Sequence, residues 1–276
     1  ITFGLKALSW YAEIGRNVTR LQAARRDLAF GKLSGAVGSY TQGPPRVEAL
    51  VMARLGLKPE PVSTQVIPRD RHAALLSALA LAATGLDRIA TEIRNLQRTE
   101  IGELGEPFGK SQRGSSAMPH KQNPIICERV TSLARVVRAY ASVGMENVVL
   151  WHERDLTNSA NERLAIPGAL TLLHYMLLKF TPVLAGLVVR TDRMAANLES
   201  AGGVYFSQAL LLALVDRGMD RDSAYKLAQG LAFRARAEGR RFTDLAAADP
   251  QVCAKLDRRA LARVFDLKRL LRNVDA

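Results

Sequence analysis

Between residues 69 and 100 the chain contains no proline and one glycine, Gly85. Its alanines and leucines favour helix, and nothing in the stretch breaks one. At 1.5 Å per residue a single helix there is about 48 Å long. A rod of that length suits an extended bundle better than a compact globin-like packing. A second long apolar helix is expected over residues 163–189. His174, Lys179 and Pro182 near its middle argue against a membrane span and for burial in a bundle.

Glycines and prolines divide the rest. A first helix is expected to reach about Phe30, with Leu5, Leu8, Leu21 and Leu28 on one apolar face. Residues 31–45 are glycine-rich and end in Pro44 and Pro45, which reads as a loop; a short helix over 46–55 follows. Pro59, Pro61 and Pro68 make residues 58–68 largely extended. Pro124 suits the first turn of a helix running to about Glu146. After Ala201-Gly202-Gly203 the pattern shifts to shorter helices, about 205–217 and 220–238, the second with Asp220 placed to cap it. No run shows clean two-residue alternation, so strands are not expected. The expected class is all-α: a long-helix bundle over residues 1–200 and a small C-terminal helical domain over 201–276.

The formal net charge over 276 residues is +13, which raises nucleic acid, a membrane surface or an anionic small molecule as partner without choosing among them. A hydrophobic share of 48% excludes intrinsic disorder. Two cysteines, Cys127 and Cys253, exclude a disulfide-built scaffold and point to a reducing, cytoplasmic setting. Four histidines, with no CxxC or HExxH spacing, give no expectation of a metal site. No basic segment precedes an apolar core at the start, so no signal peptide is expected.

Residues 102–124 are the most irregular segment, and a loop of that length inside a helical protein is usually functional. Its end, Gly114-Ser115-Ser116-Ala117-Met118-Pro119-His120-Lys121-Gln122-Asn123-Pro124, holds two hydroxyls, then a cation, then an amide. Lys121 and Asn123 suit carboxylates by charge and hydrogen bonding. A hydroxyl in a closed, water-poor loop acts on a proton if its pKa is lowered. A polar surface loop is the bland alternative.

These residues resemble the signature loop of the fumarase/aspartase superfamily, a pattern close to GSSxMPxKxNP. Further stretches are similar to the adenylosuccinate lyase family: residues 2–6, 32–38, 63–72, 96–100, 151–163 and 206–208, and the Leu-Arg-Asn-Val-Asp near the end. The resemblance covers the whole chain and matches roughly the C-terminal two-thirds of the family's length. It implies a C–N lyase that releases fumarate from adenylosuccinate, giving AMP, and from the succinylocarboxamide ribonucleotide of purine synthesis. It also implies no cofactor, a small nucleotide substrate, and a homotetramer built on a long-helix core with active sites shared between chains.

By the same resemblance Ser115 matches the general base, and Lys121 and Asn123 match residues holding the succinyl carboxylates. Gln65 matches a glutamine at the succinyl part. Arg154, Ser159 and Arg163 match substrate-binding positions, the last two at the phosphate, and Arg129 matches another substrate contact. Glu128 matches an acid that supports a catalytic histidine. The residues themselves agree on one point: Ser159 and Arg163 are four apart, hence on one face of a helix, and arginine suits phosphate geometry.

One departure stands out. The family's general acid is a histidine of a Thr-His motif that aligns before Ile1, and His72, His120, His152 and His174 match neither it nor the family's second functional histidine. The 276 residues alone are therefore expected to lack lyase activity. Other superfamily members, argininosuccinate lyase and carboxymuconate cycloisomerase, are the nearest alternatives. A basic nucleic-acid binder is the alternative of another class: residues 217–276 hold 14 Lys and Arg against eight Asp and Glu. Aromatic residues interleaved for base stacking are missing there.

Overall fold

The computed structural model describes residues 1–109 and 117–274. They form two compact units, Ile1–Val189 and Arg190–Ala276. The division expected from sequence, at 200/201, falls eleven residues into the second unit.

In the first unit, helix α1 spans Phe3–Leu28, α2 Pro45–Leu55, α3 Asp70–Leu96, α4 Ile125–Glu146 and α5 Thr157–Ala185. The central rod is α3. Thirteen of its residues are buried, from Ala73 to Ile93, too many for one face. They are divided among α1, α4 and α5, which all pack on it. Its many alanines let those neighbours approach closely. At 27 residues it is about 40 Å long, shorter than expected because it ends at Leu96.

Side-chain contacts set the directions. Lys6 pairs with Glu92 and Asp27 with Arg71, so α1 runs antiparallel to α3. Arg94 reaches Thr131 and Arg138 meets Asp87 at 3.1 Å. At the other end Gly144 lies against Leu76 and Ala73, so α4 is also antiparallel to α3. Gly168 lies against the Tyr140 ring and Arg129 bonds Tyr175, which turns α5 back along α4. A Cβ on Gly144 would sit 2.6 Å from Leu76 Cδ1, so glycine permits the close crossing.

Two expectations about α1 and α5 need correction. The buried face of α1 is Trp10, Asn17 and Ala24, while Leu5 and Leu8 are 51% and 59% exposed. Leu21 and Leu28 are half-buried, so only the first two leucines of the expected face stay out of the packing. Helix α5 begins at Thr157, not Arg163, and continues through Pro167 and Pro182. Both α3 and α5 are long and apolar enough to cross a membrane by length and composition alone. Two-thirds of the most apolar stretch of α3 is buried in the unit, against 28% for α5, so α5 carries the larger unmet apolar face.

Among the described residues four two-residue strands also occur. Phe30–Gly31 (β1) pairs parallel with Lys58–Pro59 (β2), and Leu104–Gly105 (β3) pairs antiparallel with Val188–Val189 (β4). Two residues are too few to leave an alternating pattern, so sequence periodicity gives no sign of them.

In the second unit α6 is Thr191–Ser200, α7 Ser207–Asp216 and α8 Arg221–Glu238, followed by α9 Phe242–Ala248, α10 Pro250–Cys253, α11 Arg258–Val264 and α12 Leu267–Leu270. Its core joins Phe206, Leu210, Leu214, Leu231, Phe242 and Val252. Aspartates start four of the helices. The side chain of Asp220 accepts from Asp222 N and Ser223 N, as its position in the sequence suggests, and Asp249, Asp257 and Asp266 repeat the device.

Candidate active site

Two cavities of the first unit hold most of the residues singled out by sequence, one at each end of α3. At its N-terminal end, Arg154 Nη1 donates to Gln65 Oε1 at 3.1 Å. Arg163 Nη1 donates to Ser159 Oγ at 2.8 Å and to Ser159 O at 3.0 Å, one helical turn back on α5. Arg154, Ser159 and Arg163 line a cavity of about 380 Å³ together with Arg69 and Glu162. The expected pairing of Ser159 with Arg163 on one helix face is thus present.

This end is braced by its backbone. Lys32 Nζ donates to the carbonyls of Gly35, Thr64 and Gln65 at 2.6, 3.0 and 2.9 Å, which holds the Gln65 segment. Thr64 Oγ1 donates to Glu153 O at 2.8 Å, tying that segment to the turn that carries Arg154. Asp155 accepts from Trp151 N and Thr157 N, each at 2.8 Å, and from the Thr157 hydroxyl. These bonds, the Thr157 hydroxyl foremost, hold its carboxyl below the usual range. They also fix the start of α5, on which Ser159 and Arg163 stand. His72 packs beside Arg69; burial, and then the Arg69 charge, push its pKa down.

At the C-terminal end of α3 lies a cavity of about 900 Å³, lined by Arg94, Asn95 and Arg98 from α3 and its end, and by Lys121, Asn123 and Glu128. His120 lines it too. Ser115 lies outside the described residues. Arg129 is adjacent in sequence to Glu128 but is not among the lining residues; its guanidinium bonds Tyr175 OH at 2.7 Å.

The structure adds a clasp at this end. Pro124, at the head of α4, supplies no side-chain cap. Glu106, from the far side of the signature loop, caps the helix instead. Its carboxylate accepts from Ile126 N at 3.1 and 3.2 Å and from Cys127 N at 3.1 Å. Gln97 Oε1 accepts from Glu106 N at 2.7 Å, while Gln97 Nε2 donates to Gln122 O at 2.9 Å. Both flanks of the loop are thereby pinned to each other and to the end of α3. Burial, aided by the nearby Glu106 charge, raises the Cys127 pKa and keeps the thiol protonated. Gln97 and Glu106 are missed by sequence because a cap contributed from twenty residues away has no local pattern.

The two cavities share no lining residue. Arg69 and Asn95 stand 26 residues apart along α3, or about 39 Å. One small ligand cannot reach both ends within a single chain.

The sequence and the helical-bundle fold match a known group of proteins. A family model described as "Lyase" matches residues 1–139, and one described as "Adenylosuccinate lyase C-terminus" matches residues 203–276. The chain belongs to this lyase family. Within it, the likeness is to adenylosuccinate lyases. That of Thermotoga maritima is 48% identical over 274 residues, 99% of this chain and 64% of the relative. That of Synechocystis sp. is 49% identical over 275 residues, with the same shares. The chain thus spans about 64% of the length of these relatives. Among solved structures, a 3-carboxy-cis,cis-muconate lactonizing enzyme from Pseudomonas putida is similar with a TM-score of 0.83 at 30% identity, covering 96% of this chain and 60% of that one. A fumarate lyase from Mesorhizobium sp. has a TM-score of 0.85 at 27% identity, with the same coverage.

Proposed function

We propose that the chain supplies the catalytic core of an adenylosuccinate lyase, which eliminates fumarate from adenylosuccinate and from the succinylocarboxamide ribonucleotide. The observation that carries this reading is the pair of cation-lined cavities at opposite ends of α3. Arg154, Ser159 and Arg163 suit a phosphate. Lys121 and Asn123 suit the succinyl carboxylates. A substrate with a phosphate at one end and two carboxylates at the other needs both kinds of site.

In the elimination, Ser115 takes the proton from the carbon beside a carboxylate. The carbanion is held as an aci-carboxylate, and Lys121 and Asn123 stabilise the charge that develops on its oxygens. The C–N bond then breaks and an acid protonates the departing nitrogen. No histidine of this chain fills that last role, so the 276 residues alone release no fumarate.

Because the cavities are about 39 Å apart, the complete site takes its phosphate end from one copy and its succinyl end from another. The surface for that association is α5, which leaves Leu164, Leu170, Leu177, Leu178 and Leu184 exposed. Three of these, 170, 177 and 184, recur every seven residues, the spacing of a helix–helix seam. A homotetramer with shared sites satisfies both requirements.

The test is fumarate release, followed by ultraviolet absorbance, from a version extended at its N-terminus to the length of its relatives. Turnover of both purine substrates, lost in Ser115→Ala with binding retained, is the expected result. Turnover only of a non-phosphorylated substrate would instead favour a cycloisomerase like the Pseudomonas putida structural neighbour.

A further inference from the structure

Arg69 stands at the N-terminal end of α3 and lines the smaller cavity with Arg154, Ser159 and Arg163. The family resemblance gives roles to those three and none to Arg69. Its side chain is only 14% exposed, and its Nε lies 3.2 Å from Glu162 Oε1. That Nε is nevertheless buried without a hydrogen-bond partner, because the N–H is not directed at the carboxylate. Its Nη1 faces His72 Nδ1 at 3.3 Å, and among the described residues Nη2 has no hydrogen bond. A fork held in a nearly buried place with donors to spare is arranged for an acceptor not supplied by the fold.

The charge balance indicates what that acceptor is. Among the described residues Glu162 is the one acid lining the cavity, and it is engaged by Arg69 and by Asn158 Nδ2 at 3.2 Å. Among the lining residues, three guanidiniums against one carboxylate give an excess of two positive charges. His72 adds none, since burial and Arg69 keep it neutral. A phosphate monoester carries close to two negative charges at neutral pH, and a cavity of about 380 Å³ accommodates it.

We infer that Arg69 is a third phosphate-binding arginine of this cavity, held in place by Glu162, and that with Arg154 and Arg163 it selects the dianion of a phosphate monoester. This rests on reading the cavity as the phosphate end of the lyase site. Were the Arg69–Glu162 pair purely structural, an apolar pair of similar volume would replace it without loss of ligand affinity.

Isothermal titration of the chain with AMP, and with adenosine as the same ligand without phosphate, tests it. The unsubstituted chain should prefer AMP. Arg69→Gln and the double variant Arg69→Met/Glu162→Met should each weaken AMP binding about tenfold and leave adenosine unchanged; Arg163→Gln should do the same. The double variant strands no buried charge, so it reports even if the single one misfolds. An intact preference for AMP in the double variant, with the preference lost in Arg163→Gln, overturns the role of Arg69 and leaves the phosphate site standing. A preference intact in Arg163→Gln, or absent from the unsubstituted chain, overturns the phosphate reading itself and the inference with it.

Discussion

Glu106→Ala removes the cap of α4 from outside the helix, and its cost is worked from three bonds. Glu106 is 7% exposed, and its carboxylate accepts from Ile126 N and Cys127 N at 3.1–3.2 Å. Leaving a buried donor unsatisfied costs about 1–3 kcal/mol each. Loss of a helix cap is measured at about 0.5–2 kcal/mol, which counts some of the same bonds. Water entering the space left by the side chain lowers the cost, so a net loss of about 2–4 kcal/mol is expected. That is a large part of a typical stability of about 5–15 kcal/mol. Glu106→Gln keeps an acceptor of the same shape but loses the charge, and charge-assisted bonds are about twice as strong as neutral ones. It should cost roughly half as much. Urea unfolding followed by far-UV circular dichroism measures both, with Glu153→Ala as an exposed control expected within about 0.5 kcal/mol. Amide exchange at Ile126 and Cys127 should accelerate in Glu106→Ala, and the Cys127 thiol should react faster with a thiol reagent. A Glu106→Ala protein within about 0.5 kcal/mol of the unsubstituted chain, with those two amides equally protected, would refute the reasoning.

Three further outcomes are expected. Gly38 has a φ of +80° and a Cβ there would lie 2.0 Å from Ser63 O; Gly38→Ala should cost about 2 kcal/mol or more and displace the Gln65 segment, read by thermal unfolding and by loss of AMP affinity. His72 has a folded pKa below its ordinary value. The unfolded chain therefore takes up the proton first as pH falls, and stability present above about pH 6.5 is lost on acidification. His72→Gln should flatten the stability–pH curve between about pH 7 and 5, measured by urea unfolding at each pH. Leu164→Arg with Leu178→Arg, both on the exposed face of α5, should shift sedimentation velocity to a single chain with far-UV circular dichroism unchanged, each leucine contributing about 1.5–3 kcal/mol to burial.

The helices were legible from the chain because their determinants are local. The proline-free run before Glu100, Pro124 at the head of α4 and Asp220 at the head of α8 each act within a few residues. The pairing of Ser159 with Arg163 was legible for the same reason, since four residues along a helix fix a face. Leu5 and Leu8 were misread because periodicity reports that a face is apolar, not what covers it; Trp10, Asn17 and Ala24 meet α3 instead.

What the tertiary structure alone decided is where separate segments come together. Gln65 with Arg154, Lys32 on the 64–65 carbonyls, and Glu106 with Ile126 and Cys127 across the signature loop join residues up to 89 positions apart. It also decided that Lys121 and Asn123 lie at one end of α3 and Arg154 and Arg163 at the other. Sequence alone determined the rods, their local aspartate caps and the chemical groups they carry, because dihedral preferences and helical spacing act over a few residues. Which rod faces which, and which end each group occupies, depends on burying apolar surface between segments distant in the chain, and that is settled only when they pack.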